Sequence, residues 1–219
     1  MIECRELTKI YGRKDNICKA LDNFTVSINS GELVAIIGKS GAGKSTLLHI
    51  LSGLDRPTSG SVIVNGKNVT NLSDRHQAKF RREEIGIILQ NFALVSKYSV
   101  IENLMVPLFY SNMNGKSKQE LIKSKLNRLD IAPLINKKVK NLSGGEKQRV
   151  AIARALISNP SVILADEPTG SLDSKNSDEV LSILKALNSE GITVIIVTHD
   201  MDIANMCSRV IEISDGRLI

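Results

Sequence analysis

A glycine-rich stretch, GKSGAGKSTLLHI from Gly38 to Ile50, follows the apolar run LVAII. Within it, Gly38, Gly43, Lys44 and Ser45 fit the spacing G-x-x-x-x-G-K-[ST]. Glycines let a backbone curl so that successive N–H groups point inward, and a helix that follows adds its positive N-terminal end. On this reading Gly38, Lys39, Ser40, Gly41, Ala42, Gly43 and Thr46 cradle a phosphate chain. Lys44 reaches the β- and γ-phosphates, and the Ser45 hydroxyl ligates Mg2+. The plainer alternative is a strand-to-helix turn that uses glycine for left-handed dihedrals.

A second candidate is the carboxylate pair in SVILADEPTGSLD. Asp166 ends an apolar strand, where open α/β sheets place their ligands, and can hold Mg2+ through water. Glu167, one residue on, can polarise an attacking water. Without the phosphate loop, Asp-Glu-Pro would read as an acidic turn. The loop alone leaves kinases, nucleotide switches and ATPases open.

These residues need a scaffold that brings strand ends together. Five short apolar runs, ELVAIIG, EIGIILQ, SVILADE, GITVIIVTHD and RVIEIS, alternate with helical patterns. Continuous runs of this kind suit strands covered on both faces, so the expectation is an α/β core with a mostly parallel sheet. In SDEVLSILKALN, an apolar face of Val180, Leu181, Ile183, Leu184 and Leu187 marks one covering helix. The first thirty residues and SGSVIVNGKNVT read as an antiparallel flap, with Asn-Gly in a hairpin position. Between about 91 and 157 strand character is low, and two Ser-x-x-Glu helix starts are expected, Ser117 with Glu120 and Ser143 with Glu146. The expected organisation is one domain over 1–219: a nucleotide-binding core with its flap from 1–90 and 158–219, and a helical insertion over 91–157.

With 219 residues the chain can bury a sizeable core without a metal or disulfide staple. Cys4, Cys18 and Cys207 show no ligand spacing and suit a reducing cytoplasm. No segment approaches the roughly 20 apolar residues of a membrane span, so a soluble chain is expected. Lys and Arg exceed Asp and Glu by 29 to 23, a net charge of +6. That excess suits a nucleotide or an anionic surface, and with few aromatics no nucleic-acid partner is expected.

The stretch NLSGGEKQRVAIARAL, Asn141 to Leu156, resembles the nucleotide-binding subunits of ABC (ATP-binding cassette) transporters, whose signature reads LSGGQ with Glu tolerated at the fifth place. Here the signature is Leu142, Ser143, Gly144, Gly145 and Glu146. The same residues also spell a capping box, and both roles can coexist, because glycine amides and a serine hydroxyl at a helix start form an anion site. The resemblance runs nearly the whole chain. It implies that Tyr11 stacks on adenine, that Gln90 senses Mg2+ and the attacking water, that His199 contacts the γ-phosphate, and that Asp173 communicates between subunits. From the residues alone, Tyr11 could be a packing tyrosine, Gln90 a polar residue closing a strand, His199 a turn residue and Asp173 a helix cap. His49 and His76 match no functional position.

The resemblance further implies ATP and Mg2+ as cofactors and a dimer that sandwiches each ATP between the loop of one copy and the signature of the other. It implies a membrane permease with a large extracytoplasmic domain as partner, and a cytoplasmic location on the inner face of the membrane through that permease. ADEPTGSLD and NFALVSKYSVIENLMVPLFY look like the subgroup serving macrolide export, lipoprotein release, cell-division signalling, and bacitracin-type peptide resistance or bacteriocin export. Export of, or resistance to, an antimicrobial peptide, bacteriocin or macrolide is the expected task. A non-transporting membrane signalling complex is the alternative, and a soluble cassette acting on ribosomes or DNA a further one. Around Pro107, NLMVPLFY is expected either to receive a permease helix or to pack within the insertion.

Overall fold

The structure is a computed structural model that describes residues 1–12 and 16–219. Strands β1 (Ile2–Tyr11) and β2 (Cys18–Ile28) lead into β3 (Leu33–Ile37), the glycine loop and α1 (Lys44–Leu51). Next come β4 (Ser59–Val64), β5 (Lys67–Asn68), α2 (Asp74–Glu84) and β6 (Ile85–Leu89). Three helices follow, α3 (Val100–Met105), α4 (Gly115–Arg128) and α5 (Gly144–Ala155). The chain closes with β7 (Val162–Asp166), α6 (Ser174–Ser189), β8 (Thr193–Val197), α7 (Met201–Asn205), β9 (Arg209–Ser214) and β10 (Arg217–Leu218).

All five apolar runs enter one six-stranded sheet of order β10-β9-β3-β8-β7-β6, parallel except for β10. Its inner strands feed two cores in alternation. Ile163 and Ala165 of β7, with Val194 and Ile196 of β8, join α3, α4, α5 and α6 on one face. Val162, Leu164, Ile195 and Val197 join α1 and the antiparallel sheet on the other. A strand wetted on neither face has no polar side to alternate, which is why these runs read as unbroken.

The flap is a four-stranded antiparallel sheet, β2-β1-β4-β5. Its β4–β5 hairpin turns on Asn65 and Gly66, both at positive φ (49° and 77°), the primed turn that Asn-Gly favours. The sheets are tied where Asp22 N donates to Gly216 O at 2.9 Å and Arg217 pairs with the Asp22 carboxylate at 2.6 Å. Burial in this flap pushes the Cys4 thiol up to about 12. Among the described residues no helix is long and apolar enough to cross a membrane.

Two helix starts depart from expectation. The helix of Leu121, Ile122 and Leu126 begins at Gly115, because the cap is Asn114 rather than Ser117, and the Asn114 side chain accepts from Ser117 N at 2.9 Å. Asn caps as well as Ser, so Ser117 and Glu120 lie inside the helix. A further capping box, Ser99 with Glu102, opens α3 and was not anticipated. The Ser143–Glu146 box is present as expected.

Candidate functional site

The carboxyl ends of β3, β6, β7 and β8 converge on one rim of the sheet. β3 is buried until Ile37, and the chain then loops through Gly38 to the start of α1. Gly43 is the helix cap, at φ 105°, and a Cβ there would strike the carbonyl of Ala20. No side chain caps α1 and its first turn holds no acidic residue, so its leading N–H groups face the cleft. Lys44 folds back across the loop, donating to the carbonyls of Gly38 (2.7 Å) and Lys39 (3.0 Å).

A cavity of about 500 Å3 opens over this loop. Ser40, Gly41, Gly43, Lys44, Ser45 and Thr46 form one wall, and Gln90, Asp166, Glu167 and His199 the opposite one. Tyr11 and Cys18 close the flap side. Gly38, Lys39 and Ala42 belong to the same loop without lining the cavity. Burial raises the Asp166 pKa, and its hydrogen bond with the Ser45 hydroxyl works against that rise. Glu167 sits in the left-handed region (φ 46°) just past the end of β7. Its carboxylate accepts from the His199 backbone N at 3.1 Å and from the Thr198 hydroxyl at 3.3 Å, and it meets His199 Nδ1 at 2.7 Å. That carboxylate raises the pKa of the exposed imidazole. Gln90 is held from behind, with its backbone carbonyl accepting from Ser171 Oγ at 3.2 Å.

The signature and Asp173 stand apart from this cavity. Ser143 caps α5, accepting from Glu146 N at 3.2 Å, while Glu146 accepts from Ser143 N at 2.7 Å. Asp173 caps α6 through Asn176 N at 2.9 Å. Asn176 packs so closely on Gly145 that a Cβ at that glycine would overlap its amide. Gln148, fully buried, donates to the carbonyl of Pro168 at 2.5 Å, and Arg149 pairs with Glu179. The signature helix is therefore anchored to the turn that carries Glu167.

Sequence reading missed the support around Tyr11. Its hydroxyl donates to Asp55 at 2.6 Å, Lys9 donates to the same carboxylate at 2.6 Å, and the Lys9 ammonium lies 4.8 Å from the ring centroid. Asp55 follows α1 and Lys9 lies on a flap strand, so no local spacing announces their meeting. Cys18, which shows no ligand spacing in the sequence, lines the cavity. His49 and His76 do not line it; His76 meets Ser73 Oγ at 2.8 Å.

A phosphate loop, a strand-end carboxylate pair and a separate LSGG-type helix start, on this mixed sheet, define a nucleotide-hydrolysing cassette. The ABC transporter family model matches residues 21–170, and the chain belongs to that family. It is 42% identical over its full length to an uncharacterized ABC transporter ATP-binding protein of Methanocaldococcus jannaschii, covering 98% of that protein. It is 44% identical to the macrolide export ATP-binding/permease protein MacB of Escherichia coli and spans 34% of that protein's length. The chain thus spans about a third of the macrolide-export relatives it matches. Among solved structures, a dimeric post-hydrolysis ATP-binding cassette bound to ADP and Pi superposes with a TM-score of 0.91 at 39% identity, covering 100% of this chain and 96% of that one. A dimeric bacterial ABC transporter cassette superposes equally well, at 41% identity. The chain is an ATPase of this family.

Proposed function

We propose that two copies of this chain close around ATP, each supplying a loop to one nucleotide and a signature to the other, and that the cycle drives a membrane permease. The observation that carries this reading is a separation: Lys44, Asp166, Glu167 and His199 share one cavity, while Ser143 to Glu146 lie outside it on the same chain. A site with half its phosphate-binding groups displaced is completed by a second copy, and the solved relatives are dimers.

In that site Tyr11 offers a ring face to the base, and the amides of Gly38 to Thr46 with Lys44 hold the phosphates. Mg2+ fits the donor set: the Ser45 hydroxyl, the Gln90 amide oxygen and the Asp166 carboxylate are all oxygens, and the half-buried Asp166 gains from a cation. Bound there, the ion would neutralise charge on the phosphates. Glu167, aimed by Thr198 and His199, accepts a proton from the attacking water, and His199 donates towards the γ-phosphate. Loss of that phosphate removes the link across the dimer.

A basic groove supports the permease as partner. A cavity of about 1450 Å3 runs between α2 and the residues after α3, with Arg75, Lys79 and Arg82 on one side and Val106, Pro107 and Tyr110 on the other. Val106 and Tyr110 are exposed, at 52% and 81%, as is Phe109 at 76%. Leu104 and Leu108 are buried and Met105 packs on the core, as the packing alternative expects, while the exposed Val106, Phe109 and Tyr110 leave a surface that a permease helix would cover. An amphipathic permease helix suits this surface, and it would hold the chain at the inner face of the membrane. Similarity to macrolide-export proteins supports export or resistance as the task, with residues 91–157 as the lobe that meets the permease. The test is Glu167→Gln. Binding of ATP retained, hydrolysis about a hundredfold or more slower and a dimer trapped by Mg-ATP on sizing columns support the reading; unchanged turnover removes Glu167 from the role of base.

A further inference from the structure

Directly behind Gln90 the backbone does something costly. Phe92 and Ala93 are consecutive non-glycine residues in the left-handed region, at φ 60° and 48°. Side chains disfavour that region and rarely occupy it twice in succession. Local bonds are sparse here: Phe92 N donates to Leu89 O at 3.0 Å and Ala93 N to Asn91 O at 2.7 Å. What reaches in from elsewhere is Arg154 of α5. Its guanidinium donates to the Phe92 carbonyl at 3.0 Å through one nitrogen and to the Ala93 carbonyl at 2.5 Å through another.

Arg154 is an unusual residue to find in this place. It is half-buried, burial lowers its pKa, and no carboxylate of the described residues pairs with it. Its charge is directed at two backbone carbonyls, one on each terminal nitrogen of its planar fork. The same side chain lines the basic groove, beside Ala155 and Ser158 and facing Val106 and Pro107. A second anchor lies further along: buried Asn103 accepts from Val95 N at 2.8 Å and donates to Val95 O at 3.2 Å and Ser99 O at 3.0 Å. The turn after Gln90 is thus pinned from α5 on one side and from α3, next to the groove wall, on the other.

We propose that Arg154 is a positioning residue: it holds the strained Phe92–Ala93 turn and thereby fixes Gln90 at the rim of the nucleotide cavity. This rests on Gln90 acting in hydrolysis, and the test separates the two claims. ATPase kinetics and amide hydrogen exchange are compared for the full chain, Arg154→Gln, Ala93→Gly, the double variant and Gln90→Ala. Arg154→Gln should lower kcat about tenfold with KM for ATP within twofold, and speed exchange of the Phe92 to Leu94 amides at least tenfold. Ala93→Gly, which removes strain, should restore half or more of the lost kcat in the double variant, a rescue that a general packing role for Arg154 would not produce. If the Gln variant does not fold, Arg154→Met, which keeps the apolar stem and removes every donor, is read in the same way. Wild-type exchange and kcat in a folded Arg154 variant, or no rescue by glycine, overturns the proposal. If Gln90→Ala leaves kcat unchanged, the role of Gln90 falls while the exchange data still judge the clamp.

Discussion

Two helices in this molecule begin at glycine-bearing loops, and they treat their leading amides in opposite ways. At α1 the cap is Gly43, no side chain bonds back, and the first turn is free of acidic residues. At α5 the cap is Ser143, and Glu146 returns its carboxylate to the Ser143 amide, which holds that carboxylate below its usual pKa. The first end is left open for an anion. The second is satisfied from within and carries a negative charge in its first turn. An anion can approach the start of α1 without displacing a side-chain cap, whereas at the start of α5 it competes with a cap already made. That asymmetry fits a cycle in which each chain first takes nucleotide on its own loop and is joined later by a partner's signature.

The contrast can be broken hardest at the open end. Lys44→Ala removes the ammonium that spans the loop at the cavity wall and should reduce ATP turnover by about a hundredfold or more, measured by phosphate release. At the capped end, Gly145→Val drives a side chain into Asn176 and disturbs the Asp173 cap. Its expected signature is loss of the Mg-ATP-trapped dimer in a Glu167→Gln background, with nucleotide affinity of the single chain preserved in equilibrium dialysis. Glu146→Gln keeps the capping geometry and removes the charge. A charge at a helix end is worth about 0.3–1 kcal/mol, so the trapped dimer should tighten roughly two- to fivefold in sedimentation equilibrium.

Smaller effects sharpen the comparison. Ser143→Ala removes a helix cap worth about 1 kcal/mol and should lower Tm by about 2–4 °C. No corresponding cap exists to remove at α1. The smallest change is a titration: His199, facing Glu167, should titrate above its ordinary value by NMR, and Glu167→Gln should bring it back down. Because the folded pKa is the raised one, the pairing favours the folded chain below the unfolded imidazole pKa and fades as pH rises through the folded value. An unshifted imidazole would show that the His199–Glu167 contact does not persist in solution.

Much of the scaffold was legible because its signals are local. The five apolar runs became sheet strands, since a strand covered on both faces must be apolar throughout, and Asn65-Gly66 became a primed turn, since few other pairs accept positive φ twice. The misplaced start of α4 shows the limit of such signals. Ser117 and Glu120 have capping spacing, yet Asn114 was equally able to cap and came first along the chain.

The amino-acid order by itself determined the α/β core, the glycine loop from Gly38 to Thr46, the strand-end carboxylates and the capped helix start at Ser143, because each depends on residues adjacent or a few positions apart. Only the tertiary structure decided that Tyr11 is fastened to Asp55 and Lys9, that Gly145 touches Asn176, and that Arg154 grips the carbonyls of Phe92 and Ala93. Apart from Lys9 and Tyr11, neighbours on one strand that Asp55 joins, these meetings link residues tens of positions apart, through side chains that have many possible partners in the unfolded chain. Strand order and helix packing select one partner for each, and no spacing in the sequence records that choice.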